Sequence, residues 1–306
     1  MNFKKPKFWD SPGLSFWSSV LYPLSIIFLI TSQLLNIFKS KKKFPIPIIC
    51  IGNIYLGGTG KTPLALEIFK IIKSLGKNPA FVKKGYEYLY DEIKMLGKVG
   101  KTFSDRNRTT SINSLVSSGY DVAILDDGFQ DISIAKDFSI LCFTSNQWIG
   151  NGFVIPSGPL RERIESIKKA DCIVINGENN KSINEKIKKI NNNIKIFYSK
   201  YKIKNIGNLK NKKYVALAGI GNPSNFFKLL KENNIKIVKT HSYPDHYNYS
   251  QKDFNYILEN SNEKIITTEK DFSRMSDKQK LICDYVEIDL EIDEKQEFIN
   301  LIKNKL

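Results

Sequence analysis

Apolar and polar positions divide the chain into stretches of different periodicity. From Ser11 to Phe38 no residue is charged, and the run SPGLSFWSSVLYPLSIIFLITSQLLNIF is followed at once by Lys39, Lys41, Lys42 and Lys43. It is long enough to cross a bilayer as a helix, yet it carries Ser18, Ser19, Ser25, Thr31, Ser32, Gln33 and Asn36, with Pro23 at its middle. A cleaved signal peptide does not fit. The run exceeds an apolar signal core, no small-residue cleavage site follows, and the basic cluster lies after it, where it holds that side in the cytoplasm. Three readings stay open: a helix lying in or dipping into the inner leaflet, which is favoured, a true span, and a buried packing helix. In the first two, Trp9 and Trp17 are expected to be interfacial anchors.

After Pro45 and Pro47 short β-rich runs alternate with helical stretches. IPIICIGN reads as a strand, TPLALEIFKIIKSLG as a helix stopped by Gly76, NPAFVKK as a strand and TTSINSLVSSG as a helix; YDVAILDD, FSILCFT and ADCIVIN are further strands. Strands separated by helix-length segments predict a parallel sheet covered on both faces, an α/β domain. Residues 176–213 are thick with Lys and Asn, and read as a terminal helix followed by a connector with weak strand character around Ile194–Ile203. A second, smaller α/β unit follows: YVALAGIG (strand), NPSNFFKLLKENN (helix, capped by Asn222 with Pro223 at its first position), IKIVKTH (strand), SQKDFNYILENS (helix), EKIITTEKD and YVEIDLEI (strands) and a final helix to Leu306. The expected division is 1–44 for the N-terminal helix and basic cluster, 45–192 for the first domain, 193–213 for the connector and 214–306 for the second domain.

Composition adds a constraint on partners. The chain has 306 residues, 42% of them hydrophobic, with 47 Lys+Arg against 31 Asp+Glu and a formal charge of +16. That suits a folded protein with an anionic partner: nucleic acid, an acidic membrane surface or a phosphorylated small molecule. Part of the lysine content accompanies a general Lys/Asn/Ile bias of the kind AT-rich codon usage produces. Cys50, Cys142, Cys172 and Cys283 are far apart, form no C-x-x-C pair and read as core thiols of a reducing compartment. With two histidines in the chain, a His/Cys zinc cluster is set aside.

Two motifs carry chemistry. Gly57-Gly58-Thr59-Gly60-Lys61-Thr62 follows an apolar strand and opens a helix, the context of a phosphate-binding P-loop. Its glycines let backbone N–H groups face phosphate oxygens, Lys61 reaches the terminal phosphates, and the Thr62 hydroxyl suits Mg2+. The strict pattern places a glycine five residues before Gly60, where this chain has Tyr55; the nearest upstream glycine is Gly52, so the loop is longer or differently turned. Downstream, Val122-Ala123-Ile124-Leu125 runs into Asp126-Asp127-Gly128. Acids at the carboxyl end of a parallel strand lie where an open α/β sheet binds its ligand, and one or both suit Mg2+ beside Thr62.

Taken in order, IGNIYLGGTGKTP, LDDGFQ, GNGFVIPSGPLRE, LAGIGNPSNFF, SYPDHYNY and TTEKDFSRM closely resemble the tetraacyldisaccharide 4′-kinase family, the lipid A 4′-kinases of Gram-negative bacteria. The resemblance extends over nearly the whole chain, including FWDSPGLSFWSSVLYPLS. It implies two α/β domains, the first bearing the P-loop, with an N-terminal helix that meets the cytoplasmic face of the inner membrane. The implied reaction transfers the γ-phosphoryl group of ATP to the 4′-hydroxyl of an anionic glycolipid, tetraacyldisaccharide 1-phosphate, and the charge of +16 then has a concrete explanation.

The resemblance also assigns roles. Lys61 and Thr62 match the phosphate-loop lysine and metal-binding hydroxyl, and Asp126 with Asp127 match the acidic pair near Mg2+. Asp91 of Asp91-Glu92 matches the family's catalytic base, and His246 of Tyr243-Pro244-Asp245-His246 matches its histidine partner; a histidine can orient the carboxylate and share the proton drawn from the attacking hydroxyl. Tyr86, Arg108, Gln130, Arg161 and Glu162 match substrate-side positions, the arginines having forks suited to phosphate oxygens. Three positions depart from the family pattern. Lys84 stands for the usual arginine before Gly-Tyr, the segment between Gly85-Tyr86 and Asp91-Glu92 is much shorter, and Asp131 replaces the histidine that commonly follows LDDGFQ. The competing reading is a membrane-associated P-loop NTPase acting as a switch or assembly factor without a lipid acceptor. Nucleic-acid binding is not expected, since no helix-turn-helix, finger or aromatic RNA-binding signature is present, and no protein partner is predicted.

Overall fold

The computed structural model describes residues 5–11, 13–37, 40–86, 89–259, 261 and 263–306. In chain order the elements are α1 (Phe16–Ile37), β1 (Ile48–Gly52), α2 (Lys61–Ser74), β2 (Pro79–Lys84), α3 (Tyr90–Val99), β3 (Thr102–Asp105), α4 (Arg108–Ser117), β4 (Val122–Asp126), β5 (Phe138–Thr144), β6 (Cys172–Asn176), α5 (Lys181–Ile190), β7 (Lys195–Ile203) and α6 (Ile206–Leu209). They continue with β8 (Lys213–Ala218), α7 (Pro223–Glu232), β9 (Lys236–Ser242), α8 (Gln251–Glu259), β10 (Lys264–Thr268), α9 (Glu269–Arg274), α10 (Asp277–Leu281), β11 (Cys283–Val286), β12 (Ile288–Ile292) and α11 (Lys295–Lys303). The contacts divide into two units. The larger takes in Lys5–Tyr86, Val99–Lys200 and Glu291–Leu306, and the smaller Tyr201–Leu290 together with Glu87–Lys98.

The large sheet has the order β12-β7-β6-β5-β1-β4-β2-β3, and every pairing from β3 through to β7 is parallel. β1, β4 and β5 are buried at every position, as unbroken apolar runs must be when helices cover both faces. The chain crosses from one side of β1 to the other between β4 and β5, which makes the carboxyl ends of β1 and β4 the switch point of the sheet. The smaller sheet, β11-β10-β8-β9, is parallel throughout. In it α7 starts as the sequence predicts, with Asn222 accepting from the Asn225 N–H and proline at the first turn.

Several elements differ from expectation. The region read as connector holds β7, a nine-residue strand paired along β6. Lys195, Lys200 and Lys202 are exposed while Phe197, Tyr198, Ser199 and Ile203 are buried, so a Lys-rich composition leaves only weak strand character legible. α3 and β3 occupy a stretch in which no element was expected. The run YVEIDLEI is two strands in different sheets, since the alternation continues unbroken while the chain changes partner. EKIITTEKD stops being a strand at Thr268, whose hydroxyl caps α9 by accepting from the Asp271 N–H. All four cysteines are free and buried, and burial pushes the Cys50 thiol up to about 11.

α1 is the one described helix long and apolar enough to cross a membrane, with a mean hydropathy of 1.6 over Phe16–Leu35 and 11% of that window buried. Its polar residues have a local explanation. Ser18 and Ser25, two turns apart on one face, are buried at 0% and 2% exposure. Asn151 Nδ2 donates to Ser18 Oγ at 3.0 Å, and Ser25 Oγ donates to the Val154 carbonyl at 2.8 Å. Tyr22 meets the Phe153 ring edge-on at 5.8 Å on the same side. The serines therefore fasten α1 to the GNGFVIPSG loop. Trp9, expected as an interfacial anchor, is instead 3% exposed and donates its indole N–H to the Pro156 carbonyl at 3.0 Å. That partner satisfies the one polar group of the buried indole. Trp17 is 59% exposed.

Replacing Asn151 with alanine removes donations to Ser18 Oγ and to the Ser157 carbonyl at 2.9 Å, and leaves that carbonyl buried without this donor. The expected loss is about 1–3 kcal/mol of stability, read from the urea midpoint.

Candidate functional site: a phosphate loop and an aspartate–histidine pair

The phosphate loop of the larger unit is built around a residue the sequence did not single out. Asn53, fully buried just past β1, donates from Nδ2 to the Tyr55 carbonyl at 2.6 Å, the Gly57 carbonyl at 3.2 Å and Thr59 Oγ1 at 3.0 Å. The extra length upstream of Gly57 is thus wrapped around one amide. Tyr55, standing where the strict pattern has glycine, is 1% exposed, bridges to Leu160 and donates its hydroxyl to Asp10 Oδ1 at 2.9 Å. Gly57 and Gly60 adopt φ of 142° and 88°, which side-chain-bearing residues rarely adopt, and α2 begins at Lys61 with no side-chain cap. Its first N–H groups remain directed at the loop, the arrangement that suits a phosphate.

The register pairs Ile51 of β1 with Asp126 of β4, so the acids end level with the start of the loop. Thr62 Oγ1 donates to Asp126 Oδ2 at 3.0 Å, and the same oxygen takes Lys83 Nζ at 2.6 Å. Lys83 and Asp126 are both nearly inaccessible, with side chains 2% and 0% exposed. Lys83 was missed because a lysine ending a β2-like run reads as a solvated strand end. Asp126 Oδ1 is buried without a hydrogen-bond donor. An anionic oxygen in that condition, beside a threonine hydroxyl, fits a divalent cation that takes one or two carboxylates and completes its shell with water and phosphate.

Asp127 sits in the left-handed region at φ 59°, an uncommon conformation for a residue with a side chain. Arg161 clasps it from both terminal nitrogens, with Nη1 at 2.9 Å and Nη2 at 3.0 Å from Oδ1 and Nη2 at 2.9 Å from Oδ2, while Lys61 Nζ lies 4.0 Å from Oδ1. Burial pushes the Asp127 carboxyl up, but Lys61, Arg161, Lys83 and Arg108 together hold it below the usual range. Gln130 joins the parts, accepting from Arg161 Nη1 at 2.7 Å and donating to the Asn53 carbonyl at 2.8 Å.

The other substrate-side positions fare differently. Arg108 is 6% exposed, with Nη1 on Asp131 at 3.1 Å and Nη2 on the Asp127 carbonyl at 2.5 Å. Both terminal nitrogens are held by the protein, so in this arrangement it braces the acidic turn, while its Nε is buried without a hydrogen-bond partner. Asp131, in place of the usual histidine, is its counter-ion. Glu162 accepts from Ser166 Oγ at 2.7 Å and Lys169 Nζ at 2.8 Å, and holds the following turn. Tyr86 is 37% exposed, its hydroxyl 3.4 Å from Lys84 Nζ. The shortened segment falls partly on residues 87 and 88, outside the described residues.

In the smaller unit Asp91 lies in the first turn of α3, 4% exposed. His246 Nδ1 is 3.3 Å from Asp91 Oδ2, an ion-pair contact outside hydrogen-bond geometry. His246 also holds a left-handed φ of 57°, and its N–H donates to Asp245 Oδ1 at 3.0 Å. Two residues given roles by resemblance, Asp127 and His246, are thus both in an uncommon backbone conformation. Two cations from α9 that sequence reasoning missed complete the group: Arg274 Nε is 3.5 Å and Lys270 Nζ 3.8 Å from Asp91 Oδ2. They lie four residues apart, on one face of a helix that TTEKDFSRM does not announce. Burial pushes the Asp91 carboxyl up, and the His246 contact with the Lys270 and Arg274 charges outweighs it, so the group is held below its ordinary value.

Comparison with known proteins agrees with this architecture. The family model described as tetraacyldisaccharide-1-P 4′-kinase matches residues 17–99 and 87–306. The tetraacyldisaccharide 4′-kinase of Pelagibacter ubique is 45% identical over 313 aligned residues, covering 99% of this chain and 98% of the relative. That of Rickettsia canadensis is 31% identical, covering 93% of each. Among solved structures, the "apo" form of LpxK from Aquifex aeolicus in complex with ATP superposes with a TM-score of 0.72 at 22% identity, covering 94% of this chain and 99% of that one, and so shares the fold. With the family model spanning nearly the whole length and close full-length relatives of one kind, this chain belongs to the tetraacyldisaccharide 4′-kinase family.

Proposed function

We propose that this chain transfers the γ-phosphoryl group of ATP to the 4′-hydroxyl of tetraacyldisaccharide 1-phosphate, giving the 1,4′-bisphosphorylated lipid A precursor. The observation that carries the reading is the joining, in a chain of this family, of a phosphate loop to paired acids on the adjacent strand. The loop N–H groups and Lys61 bind and neutralise the nucleotide phosphates, and Thr62 with Asp126 would hold Mg2+. Mg2+, when bound, supplies charge neutralisation on the phosphate oxygens. Arg161 and Lys61 keep Asp127 ionised beside them. Asp91, ionised because its neighbours are cationic, accepts the proton of the sugar hydroxyl, and His246 fixes the direction of its carboxylate. Phosphoryl transfer has a loose transition state, so a carboxylate of low basicity still serves by orienting the hydroxyl and taking its proton late.

The acceptor is an anionic lipid, and α1 is the part of the chain suited to its membrane. One face is fastened to the protein through Ser18, Tyr22 and Ser25, while Val20, Leu24, Ile27, Ile30, Leu34 and Leu35 are all more than half exposed. An uncovered apolar stripe of this extent calls for an apolar environment. Anchorage over residues 18–25 favours a helix lying in the interface at the cytoplasmic face of the inner membrane over an independent span.

The direct test offers γ-labelled ATP and tetraacyldisaccharide 1-phosphate in detergent micelles. Label in the bisphosphorylated lipid is expected; ATP hydrolysis with unlabelled lipid would instead favour the switch-type NTPase. A second test concerns the membrane. Replacing Ile27, Ile30 and Leu34 together by serine is expected to abolish co-sedimentation with vesicles containing anionic lipid. The change in folding stability should stay within about 0.5 kcal/mol per exposed site.

A further inference from the structure

Asp91 and His246 do not stand alone: they are part of a five-residue charged group closed by one lysine. Lys270 Nζ lies 3.0 Å from Glu92 Oε1, 3.4 Å from Asp245 Oδ1, 3.2 Å from His246 Nε2 and 3.8 Å from Asp91 Oδ2. Its side chain is 17% exposed. α9, which carries it, is pinned by the fully buried Asp271, whose carboxylate accepts from the Gly219 N–H, the Tyr249 hydroxyl, the Thr268 hydroxyl and Arg274 Nη2. The ammonium is therefore delivered to a set place.

We propose that Lys270 is a positioning residue that selects the tautomer of His246, so that the imidazole proton sits on Nδ1, the ring nitrogen on the Asp91 side. The proposal rests on the kinase reading for its catalytic consequence, though not for the tautomer itself. An ammonium has three N–H donors and no acceptor. At 3.2 Å it can only donate, so His246 Nε2 must accept and carries no proton in the neutral ring. The remaining proton is on Nδ1, 3.3 Å from Asp91 Oδ2. Without Lys270 the ring is free to place its proton on Nε2, toward Glu92 Oε1 at 4.0 Å and Asp245 Oδ1 at 3.9 Å, which leaves Asp91 facing an unprotonated nitrogen. The lysine is itself secured as an ammonium: burial pushes its pKa down, and Glu92, Asp245 and Asp91 together raise it above the ordinary value. It thus does two things, fixing the partner of Asp91 and contributing, with Arg274, to keeping Asp91 ionised.

The experiment is imidazole nitrogen NMR on the full chain labelled at histidine, where the second histidine, His241, is identified by His241→Gln. Wild type is expected to show His246 protonated on Nδ1. Lys270→Met is expected to shift the population toward Nε2–H, whereas Lys270→Arg, which keeps donors and has no acceptor, retains Nδ1–H. In the transfer assay Lys270→Met should lower kcat roughly tenfold, short of the roughly 100- to 10,000-fold loss expected for removing the base itself, with KM for ATP unchanged. Lys270→Arg should recover most of it. With Glu92, Asp245, Arg274 and His246 left around Asp91, loss of the lysine charge should also move the acid limb of kcat/KM to higher pH. Wild type already protonated on Nε2, or an unchanged tautomer in folded Lys270→Met, would overturn the proposal. A wild type that fails to phosphorylate the lipid would count against the kinase reading and leave the tautomer result standing.

Discussion

Exchange of Asp91 for asparagine is expected to lower lipid phosphorylation by roughly 100- to 10,000-fold while leaving KM for ATP nearly unchanged. The substitution keeps size and a hydrogen-bonding oxygen near His246 Nδ1, and removes the one anion that both meets the imidazole at 3.3 Å and is held ionised by Lys270 and Arg274. Because the Asp91 carboxyl is held below its ordinary 3.8, wild-type activity should persist through the usual carboxylate range and fall only in stronger acid. Stability follows the same sign. A lowered folded-state pKa contributes stability that is complete above the unfolded value and is lost as pH falls through the folded one. Urea midpoints measured across that acid window should therefore fall more steeply in wild type than in the asparagine variant. Equal transfer rates in the two proteins would assign the base to another group and leave the Asp91 cluster as a purely structural feature.

Replacing Lys83 with methionine is expected to destabilise the chain by about 3–5 kcal/mol, among the largest effects of any single exchange in the larger unit. The ion pair with Asp126 is 2.6 Å long between side chains that water scarcely reaches. Methionine fills the volume but leaves the carboxylate with only the Thr62 hydroxyl on Oδ2 and no donor on Oδ1. The expensive species is the orphaned buried charge. The double exchange Lys83→Met with Asp126→Leu should recover most of the lost stability, and should remain inactive because the acid beside the phosphate loop is gone. Urea unfolding of both single variants and the double one gives the coupling directly. An additive double would mean that the pair is not a single electrostatic unit.

Much of this organisation is legible without coordinates, for reasons that can be located. The phosphate loop and the acids after β4 are written as short contiguous motifs, because backbone turns and strand ends are local. The two α/β units follow from the alternation of apolar runs with helical stretches, and α1 from the absence of charge over its length. What the local pattern misreads are elements whose identity depends on a neighbour. β7 reads only as weak strand character within a connector because exposed lysines dominate its composition, and pairing with β6 makes it a nine-residue strand. The two halves of YVEIDLEI share one alternation, and only hydrogen-bond partners assign β11 and β12 to different sheets.

The chemistry divides in the same way. Residue types that must be what they are for local reasons, Gly57, Gly60, Lys61, Thr62, Asp126 and Asp127, stood out in the sequence, and the resemblance supplied Asp91 and His246. Tertiary structure alone decided which charges neutralise them. Lys83 reaches Asp126 across 43 positions, Arg161 reaches Asp127 across 34, and Lys270 joins His246 to Glu92, the latter 178 positions away. It also decided that Ser18 and Ser25 fasten a helix, that Trp9 is core, and that Arg108 braces the acidic turn. A sequence records which groups need a counter-charge, since burial and catalysis demand particular residue types. Which group supplies it is a matter of distance, and distance between remote residues is set only once each unit has folded.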